Sequence, residues 1–135
     1  EISIIKELSV NYLFKNLKSI DLIKDNTIDI FIMIQSIEHL SDINIFFQSL
    51  KKKIKKSSLI LIETPNYNKQ YYKYKTGWTP HTLFFNEKSI KYLAKKFEFE
   101  IVDFQIFECP WSDLNCGVKK EENEEGHNLR ILLRN

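Results

Sequence analysis

Glycine is scarce in this sequence, with three residues among 135, and the first of them is Gly77. Loops that wrap closely around phosphate groups or nucleotide cofactors rely on glycine, because a side chain would block the approach of the backbone to the ligand. The residues before Gly77 therefore contain no loop of this kind. This absence excludes a complete nucleotide-binding site of the glycine-loop type within that stretch.

Long apolar runs and cysteine-rich patterns are also absent from the sequence. No apolar run approaches the ~20 residues that span a bilayer, and the first residues do not resemble a signal peptide. Cys109 and Cys116 lack the spacing of a zinc site, so we expect reduced thiols, as in cytosolic proteins. These features predict a soluble, cytoplasmic protein without a membrane span.

Charge gives little indication of a partner. The net charge is +2, with 20 basic and 18 acidic residues, and the two signs are interspersed. A protein that binds nucleic acid usually has a more basic and more segregated charge distribution, so nucleic acid is not an expected partner.

The chain is long enough to bury a core, and we expect residues 1–135 to form a single domain.

Two strongly apolar segments organise the middle of the chain. Residues 28–34 and 58–62 are nearly continuous runs of large apolar residues, which is typical of strands buried on both faces of a sheet. Between them, apolar residues recur at helical spacing after Ser41 and Asp42, either of which can cap a helix. Polar residues follow each strand, and parallel strands place such residues at a common edge. We therefore predict a ligand site at that edge.

The remaining elements complete an α/β pattern. Apolar spacing predicts helices over residues 4–14 and after Asn86, and strands over residues 17–20, 99–107 and 129–133. The aromatic-rich residues 67–85 form a connection long enough to be a cap, and residues 108–128 form a polar loop between the last two strands. The order predicts a mainly parallel sheet with one antiparallel strand near the C-terminus.

Four segments of the chain follow one another in an informative order. Residues 29–42 read Asp-Ile-Phe-Ile-Met-Ile-Gln-Ser-Ile-Glu-His-Leu-Ser-Asp, and residues 59–66 read Leu-Ile-Leu-Ile-Glu-Thr-Pro-Asn. Residues 81–90 read His-Thr-Leu-Phe-Phe-Asn-Glu-Lys-Ser-Ile, and residues 97–102 read Phe-Glu-Phe-Glu-Ile-Val. Together they resemble the class I S-adenosylmethionine-dependent methyltransferases, in the small-molecule branch whose fourth strand precedes a Leu-Glu-His turn. Glu98 lies where that family commonly has glycine.

The resemblance implies a Rossmann-like methyltransferase sheet that lacks strand one and the glycine-rich loop, as in an N-terminally truncated domain of a longer chain. It implies S-adenosylmethionine as the cofactor. Glu1 matches the family's acid for the ribose hydroxyls, and Asp21 matches its adenine-side acid. Met33, Ile34 and Gln35 match residues at the mouth of the fourth strand that border the cofactor. Alternatively, Glu1 is a solvated terminal residue, and Asp21 is a turn or capping acid.

The implied reaction is methyl transfer to a small-molecule acceptor, such as a sugar, a quinone-type ring or a lipid-linked saccharide. His81 is the candidate catalytic residue, because an imidazole titrates near neutrality and can accept the proton of an acceptor hydroxyl. A structural hydrogen bond is the alternative role for His81. The aromatic residues between 67 and 78 either stack on the acceptor or pack on one another.

A metal site is a second interpretation of the same residues. In the small-RNA 2′-O-methyltransferase branch, a Glu-x-x-Glu-His turn and a later histidine bind a divalent ion beside the target hydroxyl. Glu38, His39 and His81 match three of these ligands, but Gln35 replaces the first glutamate. Hard cations prefer carboxylates to amide oxygens, so Gln35 weakens the metal interpretation.

A non-catalytic role is a third interpretation. Without strand one, the strand formed by residues 28–34 would have an exposed edge. Unpaired backbone groups at such an edge invite pairing with another chain. A degenerate methyltransferase-like domain that acts through a protein partner at this edge is therefore an alternative to an enzyme.

Overall fold

The computed structural model describes residues 17–68, 81–107 and 126–135 of the chain. The four strands are β1 (Ile28–Ile34), β2 (Ile54–Pro65), β3 (Glu100–Phe107) and β4 (Asn128–Arg134), and the two α-helices are α1 (Ile43–Lys53) and α2 (Glu87–Lys96). Two 3-10 helices occupy Leu17–Leu22 and Ile37–His39. Glu1, the predicted helix over residues 4–14, both cysteines and most of the predicted cap and loop lie outside the described residues.

The strands form one sheet in the order β1-β2-β4-β3. β1 is parallel to β2, with Met33 opposite Ile62, and β4 is antiparallel to both of its neighbours. Ile131 of β4 continues the row that starts at Met33 and Ile62. The predicted sheet, mainly parallel with one antiparallel strand near the C-terminus, is confirmed.

Both α-helices begin at the caps that the sequence provides. The Asp42 carboxylate accepts hydrogen bonds from the amides of Asn44 and Ile45 at 2.9 and 3.0 Å. Asn86 and Ser89 form a reciprocal capping box at the start of α2, which satisfies amides that have no partner within the helix. Among the described residues, no helix combines the length and the apolar character needed to cross a bilayer.

One face of the sheet is covered by α1 and α2. Phe31 of β1 contacts Phe46 of α1, with the ring centroids 6.0 Å apart, and Phe47 is fully buried beside Phe97. The strands contribute the aliphatic part of this core: Met33, Ile60, Ile62, Leu129, Ile131 and Leu133. We call this side of the sheet the covered face.

The opposite side of β1 is exposed, against expectation. Ile30, Ile32 and Ile34 are 57%, 59% and 52% accessible to solvent. Successive strand residues point to opposite faces, and both described α-helices pack on the side of Phe31 and Met33. The prediction that residues 28–34 are buried on both faces is therefore wrong within the described structure, where β1 is an edge strand. We call this second side the open face.

The predicted short strand over residues 17–20 is also wrong. These residues belong to the 3-10 helix Leu17–Leu22. Ile20 and Ile23 are buried, and their spacing of three matches the period of a 3-10 helix. Anchoring two apolar side chains at that spacing favours a helical turn over a strand. Asp21 lies within this turn and is exposed.

Candidate functional site

Three segments converge at the carboxyl ends of the two parallel strands. The amide of Gln35, directly after β1, donates to the carbonyl of Glu63 in β2 at 2.8 Å. Asn66, directly after β2, forms an isolated bridge with Phe85, and the amide of Tyr67 donates to the carbonyl of Phe85 at 2.6 Å. The segment before α2 is therefore held beside the strand ends, where ligand sites in open α/β sheets form.

Glu38 is the buried acid of this edge. It lies in the 3-10 turn Ile37–His39, and 2% of its surface is exposed. The hydroxyl of Thr64 donates to its Oε2 at 2.9 Å, and Nε2 of His39 lies 3.9 Å from its Oε1. A buried carboxylate requires such partners, because loss of hydration is costly. The Glu38 side chain therefore links the ends of β1 and β2.

The segment that carries His81 is bound to the same turn. The amides of Thr82 and Leu83 both donate to the carbonyl of Glu38, at 2.9 and 3.1 Å. These bonds place the His81 ring beside the His39 ring, with the ring centroids 4.9 Å apart and an angle of 73° between the ring planes. One ligand atom from each of Glu38, His39 and His81 lies within 4.8 Å of the other two. The three residues that the sequence grouped are thus neighbours in space.

Gln35 has an unusual backbone conformation at the mouth of β1. Its φ angle is 47°, in the left-handed region that costs a non-glycine residue about 1–2 kcal/mol. Its side-chain amide donates to Oδ1 of Asn128 at 3.1 Å. That contact directs the Gln35 amide nitrogen toward the start of β4. Strain of this kind is tolerated where surrounding contacts fix the backbone, often at functional sites.

The fold has clear likenesses among solved structures. An S-adenosylmethionine-dependent methyltransferase from Archaeoglobus fulgidus matches 100% of this chain over 73% of its own length, with a TM-score of 0.66 and 19% identity. One from Thermotoga maritima matches 83% of this chain over 58% of its own length, with a TM-score of 0.65 and 21% identity. The methyltransferase domain of bacterial CtHen1-CN matches 92% over 57%, with a TM-score of 0.53 and 17% identity.

The strand order and these likenesses agree with the resemblance seen in the sequence. This chain has the class I S-adenosylmethionine-dependent methyltransferase fold. No protein-family model matches the sequence, and a comparison with curated proteins finds no match. The chain spans 58% and 57% of the Thermotoga and CtHen1-CN chains, so both of those structures contain elements beyond the matched part.

The methyltransferase fold distributes the predicted cofactor residues over different surfaces. Met33 is buried on the covered face, whereas Ile34 is exposed on the open face. Gln35 is at the mouth of β1 with its amide on Asn128. Asp21 is exposed in the first 3-10 helix, and Glu1 lies outside the described residues. Met33, Ile34 and Gln35 lie close together only because they are consecutive residues at the end of β1.

Gly126 is a structural residue of this edge that sequence reasoning missed. Its carbonyl accepts hydrogen bonds from the side-chain amides of Asn66 and Asn68, at 2.8 and 3.1 Å. A Cβ at this position would lie 2.7–2.8 Å from backbone atoms of Phe107, so only glycine fits. In a chain with three glycines, a glycine just before a predicted strand was the available signal.

Asn128 and Thr82 were also missed. Asn128 receives the Gln35 amide across 93 positions of sequence, a contact that local patterns do not reveal. Thr82 follows His81 directly, and its hydroxyl contacts the carbonyls of Glu38, within the 3-10 turn, and of Leu40, directly after it. Threonine next to a candidate histidine was a signal for Thr82, but its partners depend on the tertiary fold.

Proposed function

We propose that this chain forms the acceptor side of an S-adenosylmethionine-dependent methyltransferase that methylates an oxygen, nitrogen or carbon of a small molecule. A sugar, a quinone-type ring and a lipid-linked saccharide are the acceptor classes that we favour. The observation that carries the proposal is the convergence of Glu38, His39 and His81, within 4.8 Å of one another, at the carboxyl edge of the sheet. Ligand sites in open α/β folds form at that edge.

The residues at the end of β1 are compatible with an adenosyl group. Ile34 offers exposed apolar surface, and Gln35 offers an amide beside it. The carboxylate of Asp21 is exposed and can accept hydrogen bonds from hydroxyl or amino groups. By the resemblance, these residues, with Met33 and Glu1, would contact S-adenosylmethionine. When bound, that cofactor supplies a methyl carbon activated by its sulfonium group.

The role that we assign to His81 is that of a general base. In-line methyl transfer mainly requires alignment of the two reactants, and a hydroxyl acceptor must also lose its proton. The His81 imidazole would accept that proton, while Glu38 and His39 hold the turn against which His81 lies. A general base of this kind typically contributes about 10²–10⁴-fold to the rate.

Two matched variants of the intact protein test this assignment. With labelled S-adenosylmethionine and a panel of hydroxyl, amine and quinol acceptors, we expect His81→Gln to lower kcat by about 10²-fold or more. We expect His39→Gln to lower it much less, because that ring orients rather than accepts the proton. Equal kcat for His81→Gln and the unchanged protein would exclude His81 as the base. Calorimetry that detects no S-adenosylmethionine binding would instead favour a non-catalytic domain that acts through the β1 edge.

A metal-assisted RNA 2′-O-methyltransferase is the second candidate function. Two imidazoles and one carboxylate form a donor set that suits a transition-metal ion. Glu38 supports this set, because its carboxylate is buried and its Oε1 faces His39 at 3.9 Å. The metal would polarise the ribose hydroxyl and lower its pKa. Gln35 would not complete the set with a carboxylate, and its amide nitrogen bonds Asn128.

Metal titration separates the two candidates. If a divalent ion is required, chelation abolishes methyl transfer, Mn²⁺ or Zn²⁺ restores it, and His39→Gln and His81→Gln are equally impaired. Calorimetry with each metal alone on the intact protein would then give one site that Glu38→Gln removes. Activity that is indifferent to chelation, with His81→Gln much worse than His39→Gln, supports the metal-free methyltransferase.

A further inference from the structure

Thr82 is exposed, yet both its backbone and its side chain contact the segment that carries Glu38 and His39. Its amide donates to the carbonyl of Glu38 at 2.9 Å. Its hydroxyl lies 3.1 Å from the same carbonyl and 3.0 Å from the carbonyl of Leu40. Glu38 is the middle residue of the 3-10 turn that carries His39, and Leu40 is the capping residue that directly follows it. Thr82 therefore binds this turn at two successive points, although it belongs to a different segment of the chain.

The consequence for His81 follows from its place in the sequence. His81 precedes Thr82 directly, so fixing the backbone and side chain of Thr82 fixes the point from which the His81 ring projects. Threonine is suited to this, because branching at Cβ restricts rotation about χ1. The opposite ring belongs to His39, 4.9 Å away and in the turn to which Thr82 is bound. The Thr82 hydroxyl thus joins the two chain segments that carry the two histidines.

We propose that Thr82 is a positioning residue that sets the orientation of His81 relative to His39. The importance of this orientation for catalysis rests on the proposed function, whereas the ring geometry itself does not. A displacement of about 1 Å of a reacting group can reduce a rate by about 10²-fold. The two backbone hydrogen bonds of Thr82 and Leu83 do not depend on the side chain, so the fold should survive removal of the hydroxyl.

The test uses Thr82→Val, which keeps the branched shape and removes the hydroxyl, and Thr82→Ser, which keeps the hydroxyl. Thr27→Val is the matched control, because the Thr27 hydroxyl also donates to a carbonyl, that of Lys24 at 2.7 Å, in the turn before β1. Two readouts are measured in the intact protein: the nuclear Overhauser effect between the His39 and His81 ring protons, and kcat beside KM for S-adenosylmethionine.

We expect Thr82→Val to weaken the ring-to-ring signal and to lower kcat about tenfold or more, with KM for S-adenosylmethionine unchanged. Thr82→Ser should restore both readouts, and Thr27→Val should change neither. An unchanged ring signal in Thr82→Val would overturn the proposal, whatever happens to kcat. A weakened signal with unchanged kcat would support the positioning of His81 by Thr82 but contradict the catalytic role of His81. If no acceptor is methylated, the ring signal still decides about Thr82.

Discussion

The two faces of the sheet contain similar aliphatic side chains but differ in what covers them. On the covered face, Ile60 and Ile62 are completely buried beneath α1 and α2. On the open face, the neighbouring Ile30 and Ile32 of β1 remain more than half exposed. Strands with apolar residues on both sides normally lie in sheets covered on both sides. The composition of β1 therefore suits an environment that the described residues provide on one side only.

The open face also contains an ion pair between two neighbouring strands. Glu63 and Arg130 are directly opposite each other on β2 and β4, and both guanidinium contacts go to one carboxylate oxygen, at 3.0 and 2.7 Å. Their side chains are 14% and 27% exposed. The open face thus combines exposed isoleucines with a largely sheltered ion pair. The solvent exposure of the open face is therefore intermediate between that of the core and that of a fully hydrated surface.

Matched isoleucine truncations give the largest expected effect. Ile60→Ala removes a fully buried side chain and leaves a cavity, so we expect the free energy of unfolding to fall by about 2–5 kcal/mol. Ile32→Ala removes a side chain that is 59% exposed, and we expect less than about 1 kcal/mol. Urea unfolding followed by circular dichroism measures both. Equal losses of unfolding free energy would mean that residues outside the described ranges cover the open face. The two faces would then not differ in burial.

Substitutions of the Glu63–Arg130 pair test how strongly water is excluded from the open face. Glu63→Leu leaves the half-buried Arg130 without its carboxylate, and we expect a loss of about 1–2 kcal/mol in the free energy of unfolding. Replacing both residues with leucine should recover most of this loss, because no unpaired charge remains. In a well-hydrated surface, each single replacement would cost well under 1 kcal/mol and the double replacement would bring no recovery. The same urea experiment distinguishes these outcomes.

Much of the fold was predictable because it depends on local chemistry. Asn86 caps α2 as predicted, and Asp42 caps α1, for which the sequence offered Ser41 or Asp42. The bounds of β1 match the apolar run over residues 28–34. The cover of each face was not predictable in the same way, because it depends on where distant helices pack. The 3-10 helix at Leu17–Leu22 was missed because a four-residue apolar pattern does not separate a strand from a turn.

The candidate site was predictable in its residues but not in its contacts. Glu38 and His39 were identified from the turn after β1, and His81 from the segment before α2. That His81 lies against His39 follows from hydrogen bonds that the amides of Thr82 and Leu83 donate to the Glu38 carbonyl, which join backbone groups more than 40 positions apart. Backbone acceptors carry no sequence signature. The roles of Thr82 and Gly126 depend on the same kind of contact.

The turn between α2 and β3, at the border of the covered face, has a smaller expected effect. Glu98 has a φ angle of 56°, and the amides of Glu98 and Phe99 donate to the carbonyls of Lys95 and Ala94 at 3.1 and 2.9 Å. This is a Schellman motif, whose left-handed residue is usually glycine. Glu98→Gly should therefore stabilise the protein by about 0.5 kcal/mol, the relieved strain being partly offset by a more flexible unfolded chain.

A second variant separates strain from charge at this turn. Glu98→Ala removes the carboxylate but keeps the side chain that strains the left-handed conformation. It should therefore leave the thermal midpoint unchanged or lower it, while Glu98→Gly raises it. If both variants raise the midpoint equally, charge rather than backbone conformation is the cause. The border of the covered face would then contain no stored strain.

The smallest expected effect concerns Lys53, the last residue of α1, at the border of the covered face. Lys53 ends α1 with 11% of its side chain exposed, and its Nζ lies 2.6 Å from Oδ1 of Asp25. The hydrogen bond from Lys53, followed by its positive charge, lowers the pKa of Asp25, and Lys52 adds to this. Because the pKa is lowered in the folded state, the pair stabilises the protein above the ordinary aspartate value of about 4. That stabilisation is lost as the pH falls through the lowered value.

Asp25→Asn should therefore be less stable than the unchanged protein at pH 6, and the difference should shrink progressively below about pH 4. Urea midpoints measured between pH 6 and pH 2.5 follow this difference. In a Lys53→Met background, Asp25→Asn should have no such pH dependence, because the interaction that lowers the pKa is absent. A pH-dependent difference that persists there would assign the effect to Lys52 instead. Since Asp25 is exposed and Lys53 nearly buried, the outcome shows whether a charge at the border of the covered face is stabilised by its partner or by solvent.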